Sequence, residues 1–87
     1  MTVALIQDGK VSRVWFDAGT ERLCVDFGQG FVGSIPFQAI PEDDFESTSP
    51  VVAFSVGQEG GVVVCRHEDG VETWLPADMF IPGGFGA

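Results

Sequence analysis

Residues 21–40 read ERLCVDFGQGFVGSIPFQAI, and residues 61–80 read GVVVCRHEDGVETWLPADMF. Each stretch holds an apolar run, a turn that ends in glycine at Gly30 or Gly70, and a second run closed by proline. The alternation of apolar and polar side chains over residues 21–27 is typical of a half-buried antiparallel strand. Because proline cannot donate to a sheet ladder, each copy predicts two paired strands that end at a corner.

The likeness between the two stretches extends over residues 11–40 and 51–80 without a gap. Two interpretations are open: an internal duplication of a three-stranded meander, or the general similarity of any two meanders with short turns. Apolar classes match more widely than identities do. The identical pairs are Val11 and Val51, Gly30 and Gly70, and Pro36 and Pro76.

Both interpretations lead to the same fold class, which is mostly β. We predict a small antiparallel roll or open barrel of six to seven strands, with one or two short helical turns, the first at residues 37–40. A single β-rich domain covers residues 1–81, and the glycine-rich residues 82–87 form a flexible tail. The first strand is predicted at residues 2–7, before an Asp-Gly turn. The central strand is predicted at residues 62–67, where both faces are apolar.

Composition limits the kinds of function. With a net charge of −9 on 87 residues, direct binding to nucleic acid or to an anionic membrane would be opposed by repulsion. A basic protein partner is permitted, although acidity also serves simply to keep a small protein soluble. The start of the chain has no basic region and only a short apolar patch, which does not fit a signal peptide. We therefore interpret the chain as cytoplasmic, in a bacterial or phage-infected host cell.

The sequence contains few side chains in patterns that would support catalysis or metal binding. Cys24 and Cys65 are predicted to be reduced, buried and on opposite strand faces. One metal candidate is the group Cys65, His67, Glu68 and Asp69, but these do not supply the paired spacings of a zinc site. Calcium could use Glu42, Asp43, Asp44 and Glu46, but this loop lacks the EF-hand pattern. His67 is the only imidazole, and its spacing from Cys65 is too long for a direct hydrogen bond. We expect no enzymatic activity, no metal and no cofactor.

Aromatic and acidic side chains are the best candidates for contact with a partner. Both tryptophans lie on strand faces opposite the predicted core and would anchor a partner if exposed, although a covered position is equally open. The segment that begins at Pro41 is predicted to form at most two turns of helix or an irregular loop. Phe45 lies among its carboxylates, and the ring either projects outward or turns inward. The candidate partner-binding residues are Trp15, Glu42, Asp43, Asp44, Phe45, Glu46, Glu68, Asp69, Glu72 and Trp74.

The run LCVDF that begins at Leu23, followed by Gly30 and by the Ile-Pro-Phe that begins at Ile35, resembles a family of small bacterial proteins catalogued as domain of unknown function 2442. Residues 74–78, WLPAD, are similar to the family's terminal element. The sequence departs from the family pattern at Gln29, where aspartate is usual. The resemblance implies a compact α+β domain, sometimes found beside small toxin genes, with no catalytic residues to carry over.

Taken with the charge, these features lead to a functional hypothesis. We expect a small, acidic, non-enzymatic protein-binding module that acts on a more basic partner. A sharper form of this hypothesis is an inhibitor or nucleic-acid mimic, of the phage anti-defence or antitoxin-like kind. The alternative is a structural or assembly subunit that self-associates, for example as a homodimer.

Overall fold

The computed structural model describes residues 10–28 and 30–81. Within them the chain forms six antiparallel strands in two three-stranded sheets, which confirms the predicted mostly β fold. The predicted strand at residues 2–7, its Asp-Gly turn and the tail at residues 82–87 lie outside the described residues. The first sheet contains β1 (Arg13–Asp17), β2 (Arg22–Gly28) and β3 (Phe31–Pro36), and the second contains β4 (Val51–Gly57), β5 (Val62–His67) and β6 (Glu72–Pro76).

The two sheets share one register at an offset of forty residues. Leu23 pairs with Ile35 in the first sheet, and Val63 pairs with Leu75 in the second. The same offset relates the pairs between β1 and β2 to those between β4 and β5. The offset also relates two hydrogen bonds outside the sheets. The N–H of Phe37 donates to the carbonyl oxygen of Glu21, and the N–H of Ala77 donates to that of Gly61, each at 3.0 Å. The likeness seen in the sequence therefore has a counterpart in backbone pairing, while an origin by duplication stays a prediction.

The core lies between the inner faces of the two sheets. Strand β5 is the best covered, as predicted, because four of its six side chains are buried. Alternation places Arg66 outside and His67 inside at the end of this strand. The buried hydrophobic cluster consists of Val11, Leu23, Val25, Ile40, Val63, Cys65, Leu75, Ala77 and Phe80.

Short 3-10 turns follow the proline corners of both sheets. Pro36 precedes the turn Phe37–Ala39, and Pro76 precedes the turn Ala77–Phe80. The predicted helical turn at residues 37–40 is therefore present. These corners bring Ile40 and Phe80 back into the core. A third such turn, Glu42–Asp44, carries three carboxylates outward.

The described residues contain no helix that is long and apolar enough to cross a membrane.

Candidate functional site

A buried hydrogen-bond network connects the acidic segment to the second sheet. The imidazole of His67 is 2.7 Å from the Ser49 carbonyl oxygen at Nδ1 and 2.7 Å from Thr73 Oγ1 at Nε2. A carbonyl oxygen can only accept, so Nδ1 carries a proton; in the neutral imidazole Nε2 is then an acceptor, and the Thr73 hydroxyl donates to it. The same hydroxyl oxygen accepts the N–H of Glu46 at 2.8 Å. This network fixes the start and the end of the loop from residue 46 to residue 49.

The loop in turn connects the acidic segment that follows Pro41 to the turn between β5 and β6. The Ser47 hydroxyl donates to Asp69 Oδ2 at 2.7 Å, and the N–H of Glu68 donates to the Pro50 carbonyl oxygen at 2.8 Å. The turn after β5 is thereby joined to the segment that contains Glu42–Asp44. We call this surface the acidic end. Its six carboxylates, all exposed, belong to Glu42, Asp43, Asp44, Glu46, Glu68 and Asp69.

Asp69 accepts two hydrogen bonds at its carboxylate. The hydrogen bond from the Ser47 hydroxyl and a second from the backbone N–H of Val71 lower the pKa of Asp69 below its usual value. The group is fully exposed, so its contribution to stability is small. Its lowered pKa means that this carboxylate keeps its negative charge as the pH falls below neutrality.

No basic side chain among the described residues forms an ion pair with the acidic end. The ion pair that these residues do contain joins Arg13 to Asp26 at 3.4 Å, on the outer face of the first sheet. Arg22 hydrogen-bonds to Ser34 on β3. The negative potential of the six carboxylates is therefore left to solvent, salt or a partner.

The two tryptophans lie on the outer faces of different sheets. Trp15 is half-buried, and the guanidinium carbon of Arg13 lies 4.9 Å from the centre of its ring. Trp74 is 52% exposed, and its indole N–H donates to Glu72 Oε1 at 3.3 Å. Glu72 and Trp74 thus form one surface pair, separate from Trp15.

Phe45 turns inward, which is the second of the two positions that the sequence left open. Its ring is half-buried, with its centre 5.8 Å from that of Phe37 and 5.9 Å from that of His67. The N–H of Phe45 donates to the carbonyl oxygen of Glu42 at 3.1 Å, which closes the 3-10 turn. Phe45 is therefore a wall of the acidic end and does not project freely from it.

Two clefts flank the segment from Phe37 to Phe45. We call the smaller, of about 300 Å³, the aromatic cleft; it lies over the two phenylalanines, Glu42 and residues 47–51, with His67 at its base. We call the larger, of about 630 Å³, the apolar cleft. It is lined by Ser34, Ile35, Pro36, Ala39, Ile40, Pro41, Asp44, Met79, Phe80 and Ile81.

Metal-binding and nucleophilic side chains do not come together in residues 10–28 and 30–81. Cys65 and His67 share the inner face of β5, as predicted, whereas Glu68 and Asp69 lie outside on the following turn. No group of three or more His, Cys, Asp or Glu side chains in the described part is arranged to hold a metal ion. Both nitrogens of His67 are occupied by the network, so the ring has no lone pair available to a metal or a substrate.

The two thiols are expected to be unreactive in the folded protein. Both are free and buried, on opposite faces as predicted. Burial raises the pKa of Cys65 to about 11, and burial followed by the nearby charge of Asp17 raises the pKa of Cys24. A disulfide-exchange reagent at pH 8 should therefore modify both thiols only as fast as the protein opens. Stoichiometric modification within the mixing time, without loss of the fold, would contradict the described burial.

The raised pKa of Cys65 also predicts an alkaline limit to stability. Its folded pKa of about 11 lies above the ordinary value of 9.0, so folding favours the neutral thiol. The resulting stabilisation is complete below pH 9 and is lost as the pH rises through 11. The variant Cys65→Val should lose this particular pH dependence, which a comparison of urea unfolding at pH 8 and pH 10.5 would detect.

The chain was compared with family models, curated proteins and solved structures, and none of them matches it. The resemblance to domain of unknown function 2442 therefore stays a prediction.

Proposed function

We propose that this chain is a small, non-enzymatic protein-binding module whose acidic end recognises a more basic protein partner. The observation that supports the proposal most strongly is the group of six exposed carboxylates, with which no basic side chain of the described residues forms an ion pair. The hydrogen bond that the Glu46 N–H donates to Thr73 and the one that the Ser47 hydroxyl donates to Asp69 hold part of this group in place before any partner arrives. Preorganised charge accelerates association and favours partners of opposite sign.

A sharper form of the proposal is inhibition by charge mimicry. In this form the carboxylates take the positions that phosphates would occupy on a nucleic-acid-binding protein, as in a phage anti-defence or antitoxin-like inhibitor inside a bacterial cell. The net charge of −9 and the small size support it. The partner would then lose its nucleic acid when this chain binds, which a competition assay with labelled DNA or RNA measures directly.

The general proposal is tested by reversing charge at two places on the surface. Asp43→Lys with Glu68→Lys changes the acidic end, whereas Glu59→Lys with Asp78→Lys makes the same change in net charge at two carboxylates that do not belong to it. All four positions are exposed, and Glu59 precedes β5 whereas Glu68 follows it. Reversal at the acidic end should weaken binding to a captured partner about tenfold, because each rim charge contributes roughly 0.2–1 kcal/mol and is replaced by a repulsive one.

The salt dependence with which the chain retains its partner also tests whether charge drives the binding. A tagged wild-type chain should retain its partner at low salt and release it as ionic strength rises, because surface charges are screened. Equal losses in the two double variants would show that overall charge alone matters. Retention that ignores both salt and the acidic-end variant would exclude the proposal.

The second candidate function is a self-associating structural subunit. It is favoured by large apolar side chains exposed on the outer sheet faces, namely Val32 at 53%, Val52 at 59% and Trp74 at 52%. Such side chains contribute to interfaces when they are contiguous. Sedimentation distinguishes the two functions, because the first expects a monomer at concentrations where the second expects a dimer.

A further inference from the structure

The aromatic cleft has the composition of a site for a positively charged side chain. Its lining includes Phe37 and Phe45, and both of these residues are only partly buried. The acidic residue Glu42 also lines it. A ring face attracts a cation through its quadrupole, and a nearby carboxylate adds direct attraction.

The remaining ionisable group of the cleft does not offset this preference. His67 lies at the base with 2% of its surface exposed, and its ring nitrogens are engaged by Ser49 and Thr73. The carboxylate of Glu42 is therefore the group that sets the sign of the potential inside the cleft. The neighbouring carboxylates of the acidic end add to the same sign.

The walls of the cleft are held in place by the protein's own hydrogen bonds. Phe45 is fixed by its bond to the Glu42 carbonyl oxygen, and Ser49 is fixed by its N–H bond to the Ser47 hydroxyl at 3.0 Å. The volume of about 300 Å³ suits one long side chain and not a folded element of a partner. A preformed site of this kind loses little entropy when it is filled.

We propose that the aromatic cleft binds the guanidinium group of an arginine side chain presented by the partner. Guanidinium is planar and weakly hydrated, stacks on aromatic faces and pairs with carboxylates, whereas the lysine ammonium is compact and strongly hydrated. The inference deepens the proposed function, on which it rests, since it names the chemistry by which the acidic end selects its partner.

The test uses N-acetyl-arginine amide as the probe and follows the wild-type protein by NMR. N-acetyl-citrulline amide has nearly the same shape without the charge, and N-acetyl-lysine amide has the charge without the plane. We expect the arginine probe to shift the signals of Phe37, Phe45 and Ser49 and to bind about two- to fivefold more tightly than either control. Equal affinity for all three probes, or shifts scattered over the whole acidic end, would overturn the inference.

Two variants extend the test to the residues themselves. Phe45→Leu keeps most of the apolar volume but removes the ring, and Glu42→Gln removes the charge; each should reduce the preference for arginine over citrulline. Glu59→Gln is the matched control and should leave the preference unchanged. A preference that survives in both cleft variants places the probe elsewhere and excludes this site.

Failure of this inference is distinguishable from failure of the proposed function. If the arginine probe ignores the cleft while Asp43→Lys with Glu68→Lys still loses the partner, the acidic end binds but the cleft does not. If the probe fills the cleft while that double variant keeps its partner, the cleft is a cation site and the proposed recognition surface is wrong.

Discussion

Gly33→Ala is expected to destabilise the protein by about 3 kcal/mol, at the upper end of what overpacking usually costs. A Cβ atom added at Gly33 would overlap the carbonyl oxygen of Phe80, and it would lie 3.1 Å from the carbonyl carbon and 3.2 Å from Phe27 Cε2. The carbonyl oxygen of Phe80 belongs to the backbone, so a change of side-chain rotamer cannot relieve this overlap. For a domain of this size the melting temperature should fall by about 12 °C or more.

The control for this prediction is Gly19→Ala. The nearest atom to a Cβ there is Asp17 Oδ1 at 3.4 Å, which is an ordinary contact. Its stability should stay within about 0.5 kcal/mol of the wild type. Thermal unfolding of both variants gives the two melting temperatures to be compared. Equal values would mean that the turn Ala77–Phe80 does not pack on β3.

Thr73→Val is expected to cost about 2–3 kcal/mol, although the two side chains have nearly the same shape. The hydroxyl of Thr73 accepts the N–H of Glu46 and donates to Nε2 of His67, and Thr73 has no exposed surface. The variant leaves both partners without a hydrogen bond in a place that water reaches poorly. The free energy of unfolding in urea measures the loss.

Thr73→Ser separates the hydrogen bonds from the packing. Serine keeps the hydroxyl and removes one methyl group, so the cost should be only about 1 kcal/mol. Amide exchange at Glu46 should accelerate in Thr73→Val and remain slow in Thr73→Ser. A valine variant as stable as the serine variant would show that the network contributes little to stability.

Gly33 and Thr73 also show where the two meanders differ. They lie forty residues apart and pair with equivalent positions, Val25 and Cys65, on the central strands. In the first meander this position must be empty because the backbone of Phe80 approaches it. In the second meander the side chain of Thr73 occupies the equivalent position and accepts the hydrogen bond from Glu46 in the loop of the acidic end. One register thus supports two different uses of the same position.

Much of the fold was predictable because local patterns carry it. The alternation around Leu23 and Val25 identifies the inner face of β2, and the prolines at residues 36 and 76 mark the strand ends. Gly33 is a glycine inside a strand, and such a residue often marks a close backbone approach. These signals depend on chain neighbours, so they survive without knowledge of the tertiary structure.

The candidate site was less predictable because it depends on how distant segments meet. Whether Trp15 and Trp74 are covered depends on what lies over the outer faces, and the two differ: the first is half-buried and the second is 52% exposed. The network through His67 and Thr73 was missed, although both are polar residues at inward positions of neighbouring strands. That pattern is a usable signal, since buried polar groups need partners. The two clefts arise from the path of the segment between the sheets, for which the sequence holds no periodic pattern.

We propose that the acidic end is the surface by which this chain recognises a basic partner. The decisive measurement is a calorimetric titration of the captured partner with the two charge-matched double variants. We predict that Asp43→Lys with Glu68→Lys binds about tenfold more weakly than Glu59→Lys with Asp78→Lys, with both proteins folded. Equal affinities, or a greater loss in the second pair, would contradict the claim.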